Sequence, residues 1–133
     1  MKCLTIKQPY VELILCGKKK IEIRSWPTKL RGKVLIHAGK DPNKEIVDKY
    51  VNILDKQNIK FGYILGMVEI VECIKIDKGF IERYNKENAN TGYYIDNTCI
   101  DKYAFVLKNP KRIKPIKIGG KLSFWNYTYK EEK

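Results

Sequence analysis

Apolar and polar positions alternate or recur along this chain with periods that change several times. Leu4-Thr5-Ile6 reads as a short opening strand. Pro9 suits the first turn of a helix, because its missing N–H is not needed there. Val11, Leu13, Ile14 and Leu15 supply that helix with an apolar face, and Gly17 predicts its end. From Ile21 to Ser25 apolar and polar residues alternate, as in a half-buried strand. Trp26 to Gly32 reads as a loop and Lys33 to Ala38 as a β-branched-rich strand. The spacing of Ile46, Val47, Tyr50, Val51 and Leu54 predicts a helix over Asn43 to Lys56.

Strand dominates the second half. Tyr63 to Ile76 is the longest strand candidate, interrupted by Gly66. Gly79 to Asn88 is expected to form a short helix. Tyr103 to Leu107 reads as a strand ended by Asn109-Pro110, and Lys121 to Tyr127 as the closing strand. The resulting order predicts an α+β domain whose sheet curls into a small barrel, with helices at one side.

At 133 residues, 44% of them hydrophobic, the chain suits one domain, 1–133, with a single core. No apolar run approaches the roughly 20 residues of a membrane helix. Met1-Lys2-Cys3-Leu4 does not open a secretory leader. The expected setting is therefore cytoplasmic, without membrane association. Cys3, Cys16, Cys73 and Cys99 form no C-x-x-C pair and His37 is the single histidine, so neither a metal nor another cofactor is expected. Buried free thiols are the plain reading of the cysteines.

The net charge of +12 permits an RNA or DNA partner. Lysine outnumbers arginine 23 to 4, and the cations are scattered. An AT-rich genome would raise the lysine content by codon usage alone. The charge permits nucleic-acid binding without demonstrating it.

Candidate chemistry concentrates in Gly17 to Trp26, just after Gln8-Pro9-Tyr10. Glu22 and Arg24 share one face of the predicted strand. They form either a solvated ion pair or one wall of a polar cleft, in which arginine offers a planar fork to phosphate or carbonyl oxygens. Lys19 is out of phase with Glu22. It reaches the same cleft only from a turn after Gly17 or from a bulge. Glu69, set in Gly66-Met67-Val68-Glu69-Ile70-Val71, either faces a cation in a cleft or marks an exposed gap in the sheet.

Tyr10, Trp26, Tyr93, Tyr94, Tyr103 and Trp125 recur beside cations, and bases stack on such rings for roughly 1–3 kcal/mol each. Trp26, in a polar loop, is the best candidate for ligand contact. Trp125 reads as core, and His37 as a satisfied buried histidine. Lys19, Glu22, Arg24 and Glu69 are expected to line one cleft, with Gln8 and Trp26 at its edge.

Read as G-x-K-x-x-E-x-R, Gly17 to Arg24 resembles the signature of the ASCH domain, a relative of the RNA-binding PUA domains. Leu4 to Tyr10, Val34 to Ala38, Gly66 to Cys73, Tyr103 to Leu107 and Lys121 to Asn126 look like further landmarks of that family. The resemblance implies a small PUA-like β-barrel with flanking helices. It implies RNA, a nucleotide or a modified nucleoside as ligand. Gln8, Arg24, Trp26 and Tyr103 become the expected ligand-binding residues.

One branch of the family hydrolyses the acetyl amide of N4-acetylcytidine with a lysine, a threonine and a glutamate. The resemblance places the lysine at Lys19 and the glutamate at Glu69, while Glu22 stands where the threonine would be. Lys19, Glu22 and Glu69 are accordingly the catalytic candidates. Three functions stay open: a binding module, a small amidohydrolase, and an interaction domain with a degenerate cleft. A monomer is expected.

Overall fold

A computed structural model describes residues 1–41 and 44–131. In chain order the elements are β1 (Lys2–Ile6), α1 (Tyr10–Leu15), β2 (Ile21–Arg24), β3 (Gly32–Ala38), α2 (Lys44–Tyr50), β4 (Tyr63–Lys75), α3 (Lys78–Glu87), β5 (Tyr103–Lys117) and β6 (Phe124–Asn126). The order of strands and helices is the one the periodicity predicts.

The six strands form one sheet in the order β2-β5-β4-β3-β1-β6. Only β1 and β3 run parallel; the other neighbours are antiparallel. Three strands separate β2 from β1, which would set them about 19 Å apart in a flat sheet. Arg24 Nη2, at the end of β2, nevertheless donates to Thr5 O on β1 at 2.8 Å. The sheet therefore curls until its distant members meet, as the predicted barrel requires.

Helix α1 lies in the curl. Val11, Ile14 and Leu15 join an apolar cluster with Leu4, Ile36, Val68 and Phe105, while Leu13 turns toward Ile21, Tyr50, Ile76 and Tyr84. The sheet's other face holds a third cluster around Cys3, Leu35, Met67 and Trp125, which confirms the reading of Trp125 as core. Gly66 lets α1 approach: a Cβ there would stand 2.5 Å from Leu15 Cδ2 and 2.6 Å from Lys111 O.

Three boundaries differ from the sequence reading. The helix expected over Asn43 to Lys56 ends at Tyr50 and gives way to 3₁₀ turns at Val51–Ile53 and Lys56–Asn58; Asn43 itself lies outside the described residues. Strand β5 does not stop at Asn109-Pro110 but runs on to Lys117. Pairing with β2 ends at Val106, so β5 beyond that point has a neighbour on one side only. The register shifts by an extra β5 residue between Lys108 and Lys111, where Asn109 adopts φ 54°. A proline costs little at such a bulge on an open edge. The last strand is only Phe124–Asn126, because Ser123 turns the chain at φ 56°.

The cysteines also depart from expectation. Cys3 is buried, and burial pushes its thiol up to about 12. Cys16 is exposed, and Cys73 and Cys99 are half-buried. Among the described residues no helix is long and apolar enough to cross a membrane.

Candidate functional site

The turn after α1 makes the site. Gly17 takes φ 84°, a left-handed conformation that suits glycine. The N–H groups of Lys18 and Lys19 both reach Leu13 O at 2.9 Å. Lys19 is thereby placed on the turn, where the phase argument requires it, and its side chain is folded inward with the residue 3% exposed.

Lys19 Nζ donates to Ile21 O at 2.5 Å and lies 3.4 Å from Glu22 Oε1. It also sits 5.3 Å from the centre of the Tyr10 ring and 5.0 Å from that of Tyr93, within cation–π range. Glu22 is 5% exposed. Its Oε2 accepts from Arg24 Nε at 3.0 Å and stands 2.9 Å from Arg24 Nη2. One carboxylate is thus clamped between an ammonium and a guanidinium. Arg24 is in turn fixed by Thr5 O. Burying these charges is tolerable because each has an opposite partner and further hydrogen bonds.

This triad lines a cavity of about 870 Å³. Lys7, Lys40, Lys49, Lys102 and Lys121 add positive charge around it, against Asp41 and Asp96. Tyr10, Tyr50, Tyr93 and Tyr94 supply aromatic walls. Burial pushes the Tyr10 hydroxyl up to about 12, with Tyr93 adding to the effect and Lys19 opposing it. Burial raises the Tyr93 hydroxyl too. Both phenols stay neutral at physiological pH, so they offer rings and O–H groups rather than bases. A cavity of this size, apolar in its walls and cationic in its polar groups, fits a flat anionic or carbonyl-rich molecule.

His37 also lines the cavity and is fully buried. Its Nε2 lies 2.6 Å from Ile118 O, so that nitrogen carries the proton. Nδ1 lies 3.2 Å from Thr5 Oγ1, which accepts from Trp125 Nε1 at 3.1 Å. The only consistent direction runs Trp125 to Thr5 to His37 to Ile118. The imidazole is neutral and engaged at both nitrogens, as a structural histidine should be.

Several expected site residues lie elsewhere. Glu69 does not line the cavity. It stands opposite Lys33 on β3 and Lys108 on β5. Its neighbours Val68 and Ile70 join the Leu4–Phe105 cluster, so alternation turns Glu69 to the other face of the sheet. Gln8, fully buried, spends both ends of its amide on backbone: Nε2 donates to Lys60 O at 3.0 Å and Oε1 accepts from Glu12 N–H at 3.1 Å. It caps α1 and pins a distant loop. Trp26 packs edge-on against Phe105 and Phe124, with ring centres 5.3 and 5.7 Å away. Tyr103 is half-buried against the same cluster. None of the three lines the cavity.

The sequence reading passed over Glu12. It is 2% exposed within the apolar run of α1, and both its oxygens meet the Arg112 guanidinium, Oε2 at 3.0 Å from Nη1. A lone carboxylate among Val11, Leu13, Ile14 and Leu15 was the available signal. Lys7, Lys49, Lys102 and Lys121 went unnoticed too, since nothing in sequence separates them from other lysines.

Residues 4–117 match the family described as the ASCH domain. The chain belongs to the ASCH domain family. Activating signal cointegrator 1 of Mus musculus and that of Homo sapiens are each 28% identical to it over 134 residues. Those alignments take in 92% of this chain but only 22% of either relative, so the chain spans about a fifth of the curated proteins it matches. The crystal structure of ASCH from Zymomonas mobilis superposes with a TM-score of 0.54 at 14% identity, covering 87% of this chain and 72% of that one. A crystal structure of a serine-to-alanine mutant of the same Zymomonas mobilis protein gives 0.55, covering 88% and 73%. At such identity the likeness establishes the fold and nothing finer. The curled sheet with flanking helices is thus the ASCH fold, and the expected PUA-like architecture holds.

Proposed function

We propose that this ASCH domain is a binding module that takes an RNA base or nucleotide-like ligand in the cavity beside Lys19, Glu22 and Arg24. The observation that carries the proposal is the clamped carboxylate. Glu22 holds Lys19 and Arg24 in fixed positions at the cavity wall, which is preorganisation for recognition. Lys19 is bound to a carbonyl, a carboxylate and two ring faces, a poor situation for a nucleophile. The hydrolytic reading assigns the later-strand glutamate to Glu69, and Glu69 is turned to the opposite face of the sheet from Lys19. The tyrosines suit stacking and the surrounding lysines suit phosphate.

The open stretch of β5 adds electrostatic support. Lys108, Lys111, Arg112, Lys114 and Lys117 follow one another along it. Arg112 is paired with Glu12 and Lys111 with Glu131, while no ion pair engages Lys108, Lys114 or Lys117 among the described residues. These three give a backbone-tracking contact outside the cavity. A filter-binding titration with single-stranded RNA at low and physiological salt tests the proposal. Saturable, salt-weakened binding that Arg24→Ala diminishes is expected. Absence of binding at low salt would overturn it.

A further inference from the structure

The cavity has two unlike ends, and the contacts of the triad fix their order. Lys19 Nζ lies against the Tyr93 ring, Glu22 joins it to Arg24, and Arg24 Nη2 reaches Thr5 O. The wall therefore runs from the tyrosines, past the ion-paired triad, to the end of β1. At the tyrosine end the rings of Tyr10 and Tyr50 stand 6.3 and 5.8 Å from that of Tyr93. Tyr94 lines the same end and is 47% exposed, with its hydroxyl tied to Ala89 O at 2.5 Å. Lys49 and Lys102 are here too, but Asp96 interacts with both.

At the other end three segments converge. Strands β1 and β3 finish side by side, Ile6 opposite Ala38, and Gly39 N–H donates to Ile6 O at 3.0 Å. The chain after β5 closes over them. Ile118 O accepts from His37, and Gly120 packs so closely that an added Cβ would stand 2.7 Å from Thr5 Oγ1 and 2.8 Å from His37 Nδ1. Lys7, Lys40 and Lys121 stand one on each of these segments, exposed and lining the cavity. Among the described residues no ion pair engages any of the three, and Asp41 is the one carboxylate lining that end.

Resting on the reading of the cavity as a nucleotide site, we propose that it holds a nucleotide in one direction, with the base among the tyrosines and the phosphate between Lys7, Lys40 and Lys121, and so takes the phosphorylated ligand over the bare nucleoside. Three ammonium groups without a carboxylate partner give a phosphate charge-assisted hydrogen bonds. The tyrosine faces stack a base without regard to its identity. The reverse orientation would set the phosphate beside Asp96 and leave the tyrosine faces uncovered. The lysines of the tyrosine end are already balanced in part, so the charge of the cavity is concentrated where β1 and β3 finish.

The test is isothermal titration of the protein with AMP and adenosine at one ionic strength. AMP is expected to bind at least about tenfold tighter than adenosine. Lys40→Ala/Lys121→Ala should remove that advantage. Lys78→Ala/Lys86→Ala deletes the same charge from exposed positions on α3 outside the cavity and should keep it. Tyr94→Ala should weaken AMP and adenosine by the same factor. All five residues are surface positions, so the variants are expected to fold. Equal affinities of the unaltered protein for AMP and adenosine would overturn the inference. So would an advantage that both lysine pairs erase alike, since the general field of the protein would then explain it, or a Tyr94→Ala loss confined to AMP. A short adenosine oligomer without a terminal phosphate, titrated alongside, tells the sources apart: displacement by AMP assigns the phosphate to a strand, and binding of AMP alone assigns it to a free nucleotide. If the oligomer binds and AMP does not, the binding module stands and the orientation fails; if neither binds, both fail.

Discussion

Glu22 Oε1 lies 3.4 Å from Lys19 Nζ, and the two residues are 5% and 3% exposed. A pair this deep is held by mutual compensation rather than by gain over water. Removing one partner leaves an uncompensated charge, and Glu22→Gln strands both Lys19 and Arg24. We expect that change to cost about 3–5 kcal/mol, less whatever solvent screening reaches the part-exposed Arg24. Urea unfolding measures it. The double variant Lys19→Met/Glu22→Gln should recover part of the loss, since no buried ammonium is then left alone.

Gly66→Ala should destabilise the fold by about 1–3 kcal/mol. The added methyl meets the Leu15 side chain, which can rotate, and the Lys111 carbonyl, which cannot move without breaking the β4–β5 register. Thermal unfolding compared with Gly119→Ala, where nothing lies within 4 Å of the added atom, isolates the steric effect.

Stability should fall as pH drops below neutrality, through His37. Burial lowers the proton affinity of its imidazole, with the Ile118 hydrogen bond opposing and Lys40 adding to the shift. The unfolded chain therefore binds the proton more readily, starting near the ordinary value of about 6.5. Above that pH the residue contributes no penalty. As pH falls through it, protonation favours the unfolded state. Denaturation midpoints between pH 7.5 and 5.5 should decline less in His37→Gln than in the parent.

The open edge of β5 should govern salt dependence rather than base choice. Lys114→Glu/Lys117→Glu is expected to weaken all single-stranded oligomers alike and to flatten the log–log salt slope by about 0.7 for each lost phosphate contact. Filter binding across a range of potassium chloride concentrations gives the slope. A change confined to one base composition would contradict this assignment.

N4-acetylcytidine should persist unchanged with micromolar protein, and with the Glu22→Thr variant as well. Restoring the hydroxyl does not bring Glu69 across the sheet. Single-turnover acetate release is the measurement. Acetate from either protein would reopen the hydrolytic reading.

The fold was legible because each element carries its own period, and the run from Gly17 to Arg24 was legible because little of its chemistry serves a core. What stayed hidden depends on partners remote in sequence. Gln8 looks like a binding amide until Lys60 and Glu12 claim both its ends. Trp26 sits in a polar loop, yet the curl brings Phe124 to it. Glu69 reads as a buried charge because β4 is apolar around it. Which face it takes follows from pairing with Lys33 and Lys108, and sequence alone does not give that register. Asn109-Pro110 looks like a stop signal only if β5 has neighbours on both sides.

Arg24 holds the curl shut as well as lining the cavity, since its guanidinium spans from Glu22 on β2 to Thr5 O on β1. It acts as the buckle of the barrel. A ligand that contacts Arg24 in the cavity and binds only the closed sheet would therefore be thermodynamically linked to that closure. A loosened barrel loses its grip, and a filled cavity resists opening.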